Sequence, residues 1–212
     1  MDMYNQHIKK VHLGPFQTSE IEIRDILKAW LAVSFAFAVV LVGFSSFIHF
    51  LYGILLSAIT VGLGFLLHEL GHKVVAQHYG CFAEFRAFDQ MLILMLAMSF
   101  LGFVFAAPGA VMISGPVGTR RNGIISLAGP VVNLVLASIF LLNFLYIPLP
   151  LVQTICFYGF VINTWLALFN MIPFWMFDGA KIWKWSKVAW IVTVLIGATF
   201  MVLRSYLPSP NL

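Results

Sequence analysis

The sequence predicts an all-α polytopic membrane protein, with five to six transmembrane helices and a re-entrant or short β segment between spans 2 and 3. Of the 212 residues, 61% are hydrophobic and only 9% are charged, whereas charged residues make up about 25% of a soluble domain. Long stretches without any charged side chain recur along the chain, as expected where helices cross a bilayer.

Composition also excludes several classes of protein. The formal net charge of +4 does not indicate nucleic-acid binding, because the basic residues are scattered and form no run of five or more. Cys81 and Cys156 are far apart in the chain and form no CxxC pair, so neither a disulfide framework nor a thiolate metal site is predicted. We expect residues 1–28 to be a cytoplasmic or interfacial segment, residues 29–206 one membrane domain, and residues 207–212 a short tail.

The first two spans are predicted as a helical hairpin. From Ala29 to His68 the chain has no Lys, Arg, Asp or Glu. A single helix of that length would extend roughly 60 Å, about twice the hydrocarbon core of a bilayer. We therefore place spans at residues 29–48 and 51–75, with a turn around Ser45, Ser46 and His49. Ser19 and Glu22 have the spacing of a capping box, which predicts a short helix leading into span 1.

Three further spans follow in the second half of the chain. Residues 122–177 again lack all four charged residue types, and Pro148 and Pro150 interrupt this stretch because proline stops a helix. The predicted spans are residues 123–146, 151–172 and 188–203.

Residues 90–119 form another uncharged stretch, and we predict that it enters the membrane and returns on the same side. With that path, all Lys and Arg residues except Arg204 lie on one side, as the positive-inside rule favours. Irregular backbone inside a bilayer needs cover from protein or water, so this segment should pack beside the polar cluster of span 2. Its portion from Gly109 to Gly115 is predicted to form a short strand.

The polar cluster of span 2 is the H-E-x-x-H motif formed by residues 68–72. On a helix, His68 and His72 lie four residues apart on one face, so both imidazoles can bind one zinc ion. Glu69 points elsewhere around the helix and can act as the base for a zinc-bound water. A purely structural role is disfavoured, because three ionisable side chains are costly to insert into a bilayer.

A catalytic zinc site needs a third protein ligand and one open position. Asp178 is the only Asp or Glu after Asp89, and it follows span 4, which returns the chain to the side where span 2 ends. Its neighbours are apolar, so an unpaired carboxylate would be costly there. The alternative is that Asp178 caps a helix containing Lys181 and Lys184. With the motif on span 2, the ligand role is favoured.

These motifs resemble the site-2 protease family of intramembrane zinc metalloproteases. That family has an H-E-x-x-H motif on one core helix and a distant Asn-Pro-x-Pro-x-x-x-x-Asp-Gly type motif on another. Residues 170–179 keep the asparagine, the second proline, the aspartate and the glycine at matching intervals. Residues 128–130, Ala-Gly-Pro, are similar to a further core-helix signature of the family. The resemblance covers roughly residues 54–184. The sequence departs from the family pattern at Met171, where a proline is common, and at Ala180, where a second glycine is common.

The resemblance implies a function and a set of roles. The chain would cleave peptide bonds of membrane-spanning substrates, with zinc as cofactor on His68, His72 and Asp178. Asn170 would bind the substrate backbone or stabilise the oxyanion, although an amide in a span also commonly bridges helices.

Other features of the sequence leave alternatives open. We expect Asn133 and Asn163 to form hydrogen bonds between helices. The expected partners are a transmembrane protein or peptide substrate and the lipid bilayer, with no nucleic acid, and the expected location is the cell membrane with the active site toward the cytoplasm. The alternative function is that of a non-catalytic zinc-binding membrane protein, namely a transporter, a sensor or a silent scaffold, which would tolerate loss of Glu69.

Overall fold

Five helices of the computed structural model are long and apolar enough to cross a membrane. The structure describes residues 10–13, 16–44, 46–104 and 108–210. The five candidate spans are Glu20–Val42, Phe47–His78, Thr119–Tyr146, Pro150–Asn170 and Lys187–Arg204. Two short antiparallel strand pairs accompany them. The predicted fold class, a multi-pass helical membrane protein with a short β segment, is confirmed.

The first membrane helix, α1 (Glu20–Val42), begins nine residues before the predicted start of span 1. Ser19 caps it by accepting a hydrogen bond from the Glu22 backbone N–H at 3.1 Å, so the expected short helix is the first part of α1 itself. Hydropathy placed the start too late because the first two turns carry charged residues. α1 is preceded by a hairpin of β1 (Lys10–Leu13) and β2 (Phe16–Ser19), which the sequence did not predict.

The turn after α1 lies earlier than predicted. α1 ends at Val42, and Gly43 adopts a positive φ of 65°. Ser46 caps the next helix, α2 (Phe47–Ser57), so His49 lies inside that helix rather than in the turn. Ser45 lies outside the described residues.

The second span consists of three segments in direct succession. α2 is followed by a five-residue π-helical segment, Ala58–Gly62, and then by α3 (Leu63–His78). The widened turn has partners on a neighbouring helix, since the Trp30 indole N–H donates to the Ala58 carbonyl at 3.1 Å. A Cβ on Gly62 would lie 2.7 Å from the Trp30 nitrogen. The small residue before the zinc motif thus lets α1 approach closely.

The segment from Phe82 to Ser114 begins and ends in two strands that pair with each other. β3 (Phe82–Ala87) pairs antiparallel with β4 (Gly109–Ser114), in a register that sets Ala87 opposite Gly109. Between them lies α4 (Asp89–Ser99), which at 11 residues is too short to cross a bilayer. The chain therefore returns to its starting point, as the re-entrant interpretation requires. The predicted strand over residues 109–115 corresponds to β4.

The remaining helices pack against one another and against α3, the helix that carries the H-E-x-x-H motif. α5 (Thr119–Tyr146) packs against α3, α6 (Pro150–Asn170) and α7 (Asp178–Trp185), and α8 (Lys187–Arg204) packs against α6. These bounds lie within four residues of the predicted spans 3 to 5. Both cysteines are buried and free.

Candidate metal centre

Three side chains from two distant parts of the chain converge at one point. The Asp178 Oδ2 atom lies 3.3 Å from His68 Nε2 and 3.0 Å from His72 Nε2, and the two imidazole nitrogens are 3.0 Å apart. All three residues are buried. His68 and His72 come from α3, and Asp178 is the first residue of α7. The structure thus brings together the residues that the sequence proposed as zinc ligands.

Hydrogen bonds at the far side of each ring orient the imidazoles. His68 Nδ1 lies 2.6 Å from Asn133 Oδ1, and His72 Nδ1 lies 2.8 Å from the Ile125 carbonyl oxygen. Both partners are acceptors, so each Nδ1 carries a proton, and each Nε2 is the ring nitrogen that remains to bind a metal ion. Two neutral imidazoles and a carboxylate that share one focus are a donor set suited to zinc, and the bonded outer nitrogens are typical of metal-binding histidines.

Backbone of α5 closes one side of the centre. A Cβ built on Gly129 would lie 2.5 Å from His72 Nε2 and 2.6 Å from His68 Nε2. Any residue other than glycine would therefore occupy the space beside the donor atoms. This glycine belongs to the Ala-Gly-Pro segment that carried part of the family resemblance.

Asp178 faces the histidines rather than capping its own helix. Phe177 occupies the N-cap position of α7, and the structure records no side-chain cap there. The second carboxylate oxygen, Oδ1, lies 3.5 Å from Lys181 Nζ.

Glu69 lies on the same helix as both histidines but makes a different contact. Its Oε2 atom accepts a hydrogen bond from the Val111 backbone N–H of β4 at 3.0 Å. The carboxylate of the expected base therefore contacts the strand that the sequence predicted beside the polar cluster of span 2.

Comparison with known proteins gives one close match. The chain is 40% identical over 183 residues to the Methanocaldococcus jannaschii protein named "Putative zinc metalloprotease MJ0611". The alignment covers 85% of this chain and 92% of the relative. The chain belongs to the same zinc metalloprotease family as this protein. No protein-family model and no solved structure matches the chain.

Within this member of the family, two asparagines extend the site beyond its ligands. Asn133 accepts from His68 and donates from Nδ2 to the Gly64 carbonyl at 3.1 Å and to Asn163 Oδ1 at 3.0 Å. Asn163 donates in turn to the Gly159 carbonyl at 2.8 Å. Both asparagines do bridge helices, as predicted. Sequence reasoning missed that one of them also holds a ligand, because no spacing rule links α5 to α3.

Asn170, the residue expected to bind substrate or stabilise the oxyanion, makes a hydrogen bond within α6. Its Nδ2 donates to the Leu166 carbonyl one turn earlier in α6, at 2.9 Å. The contact that the structure records is therefore within its own helix, and a role toward substrate stays a prediction.

Proposed function

We propose that this chain is an intramembrane zinc metalloprotease of the site-2 protease type, which hydrolyses peptide bonds of membrane-spanning substrates. The observation that carries the proposal is the buried focus of His68, His72 and Asp178 beside Glu69. This site lies among helices long enough to span a bilayer. The name of the M. jannaschii relative supports both the metal and the class of reaction.

The protein groups have separate roles in this reaction. His68 Nε2, His72 Nε2 and Asp178 Oδ2 would hold zinc. When bound there, zinc would polarise a peptide carbonyl and lower the pKa of a water ligand to about 7. Glu69 accepts the proton of the attacking water on its carboxylate and later donates it to the leaving amine. Because the Val111 N–H engages Oε2, we assign the proton transfer to Oε1.

The strand pair supports binding of an unwound substrate. Peptide bonds in a helix are shielded by their own hydrogen bonds, so the substrate must become extended before cleavage. On β3, the outward N–H groups of Phe85 and Ala87 already bond to the Glu22 and Asp25 carboxylates of α1. On the outer edge of β4, the described residues show such a contact only at Val111, with Glu69. A substrate strand would therefore add to this edge, next to Glu69, by main-chain hydrogen bonds.

The proposal includes location and partners. The substrate would be a transmembrane protein or peptide within the lipid bilayer, and the chain would reside in the cell membrane. The charge distribution along the sequence supports an active site that opens toward the cytoplasm.

Replacing Glu69 by glutamine tests this function. Glu69→Gln keeps the side-chain volume and the acceptor for Val111 but cannot take up a proton. Purified wild-type protein and the variant would be incubated with a panel of single-span substrates, and their zinc content measured. We expect equal zinc content and cleavage reduced by about 10² to 10⁴.

Two outcomes of this experiment would contradict the proposal. Undiminished cleavage by Glu69→Gln, in a preparation free of contaminating protease, would remove Glu69 as the base. Wild-type protein that holds zinc but cleaves nothing in the panel would favour a transporter or structural zinc site. Such a site does not need a carboxylate that exchanges protons.

A further inference from the structure

Glu22, near the start of α1, is a buried carboxylate with three partners outside the metal centre. Its side chain is fully buried and forms an ion pair with Lys73 of α3. Its Oε2 also accepts from the Thr18 hydroxyl at 2.7 Å. Its Oε1 accepts from the Phe85 backbone N–H of β3 at 2.9 Å. One side chain therefore joins the first helix, the zinc-motif helix and the strand pair.

The contact with Phe85 continues across the strand pair to the expected base. Phe85 and Val111 are directly opposite each other in the β3 and β4 ladder. The Phe85 N–H points away from β4, toward Glu22, and the Val111 N–H points away from β3, toward Glu69. This is the pattern of a non-hydrogen-bonded pair in an antiparallel ladder. The Glu22 and Glu69 carboxylates thus bind the two outer edges of the strand pair at residues that are directly opposite each other.

The contacts close into a ring. Lys73 lies four residues after Glu69 on α3, one helical turn away on the same face. Starting from Glu69, the path runs along the helix to Lys73, across to Glu22, and back through Phe85 and Val111. This path connects Val111 and Glu69 with Glu22, which lies 47 positions before Glu69 in the chain.

We propose that Glu22 is a positioning residue for Glu69, because its carboxylate holds the strand pair where the Val111 N–H meets the base. The assignment rests on the proposed function, in which Glu69 is the base and β4 the substrate edge. Glu22 makes no recorded contact with any of the three metal ligands in the part of the chain that the structure describes. It acts through the sheet.

A buried ion pair can also serve only to join two helices, and the experiment must separate the two roles. Replacing both members of such a pair by apolar residues of similar size is commonly tolerated. Glu22→Leu with Lys73→Met removes the ion pair and the acceptor for Phe85. Glu22→Gln with Lys73→Met removes the ion pair equally but keeps an amide oxygen as that acceptor. The two double variants differ in the polar contacts of residue 22 with Phe85 and Thr18, and they share the loss of charge.

The first measurement is amide hydrogen exchange, which requires no substrate. Peptides covering residues 82–87 and 109–114 would be followed in purified zinc-bound protein. We expect the leucine variant to lose protection in both peptides by at least about tenfold, and the glutamine variant to resemble wild type. Zinc content should be alike in the two variants, and thermal unfolding is recorded so that a loss of global stability can be distinguished from local opening of the strand pair.

The second measurement is cleavage of one single-span substrate from the panel. Misplacement of a reacting group by about 1 Å can reduce the rate by about 10²-fold. We therefore expect kcat of the leucine variant to fall about 10- to 100-fold per zinc-bearing molecule, with substantial rescue in the glutamine variant. If Glu22 contributes only to stability, the unfolding temperature would change, but kcat per zinc-bearing molecule would be equal in the leucine and glutamine variants.

Equal exchange in both double variants, or equal kcat, would overturn the positioning role. If wild-type protein cleaves nothing, the protease proposal fails, yet the exchange data still decide whether the Glu22 acceptor holds the strand pair. The two proposals therefore fail by different observations.

Discussion

Replacing Asn133, which contacts the ligand His68, tests how a hydrogen bond to a metal ligand affects zinc affinity. In Asn133→Leu, the His68 Nδ1–H loses its acceptor at 2.6 Å. Without metal, that imidazole can move its proton to Nε2. Metal binding at Nε2 forces the proton back to Nδ1, where it is buried without a partner. Such a loss costs about 1–3 kcal/mol, and it falls only on the metal-bound state.

This penalty corresponds to a zinc dissociation constant raised by roughly 5- to 150-fold, in line with the 10–100-fold typical of such outer partners. The constant would be measured by competition with a chelator at pH 7. Asn163→Ala is the matched control, since Asn163 is equally buried and contacts Asn133 but makes no recorded contact with His68. We expect a smaller effect there. Unchanged zinc affinity in Asn133→Leu, with the fold intact, would refute the reasoning.

Two further predictions concern the backbone around Asp178 and the topology. Gly179→Ala should reduce zinc content sharply, because the new Cβ would lie 2.2 Å from the Met171 carbonyl oxygen. The control variant Ala180→Gly should retain zinc. Equal zinc content in the two variants would contradict this prediction. Cysteines introduced beside Arg86 and Arg120 should react with an impermeant thiol reagent from the same side, and one at Ser209 from the opposite side. The native cysteines are buried, so the background should be low, and opposite labelling of the first two would mean that residues 91–107 cross the membrane.

The sequence could predict the parts of this protein that follow from local periodicity. An i, i+4 pair on a helix defines a ligand face without tertiary information, which fixed His68 and His72. Asp178 could be inferred because a lone acid among apolar residues requires a partner. Uncharged stretches located spans 2 to 5 to within four residues, whereas span 1 was placed too late, by nine residues at its start and six at its end.

The parts that could not be predicted depend on which segments meet in space. β3 contains Glu84 and Arg86, which form an ion pair with each other, and such a short charged segment has no strong strand signal. It forms because β4 pairs with one edge and α1 carboxylates bind the other. In the same way, Asn133 and Glu22 gain their roles only when α5 and α1 pack against α3. No pattern within either helix indicates the partner.

The two differences between this sequence and the site-2 protease motif that it resembles have a physical explanation in the geometry near Asp178. Met171 ends α6 with its N–H bonded to the Ala167 carbonyl at 3.1 Å, a bond that proline would remove. Its own carbonyl accepts from the Trp190 indole at 2.7 Å, and Gly179 packs directly on that peptide group. Because that close contact involves the glycine after Asp178, only this glycine is required for it. The next position can carry a methyl group, so Ala180 leaves the ligand in place.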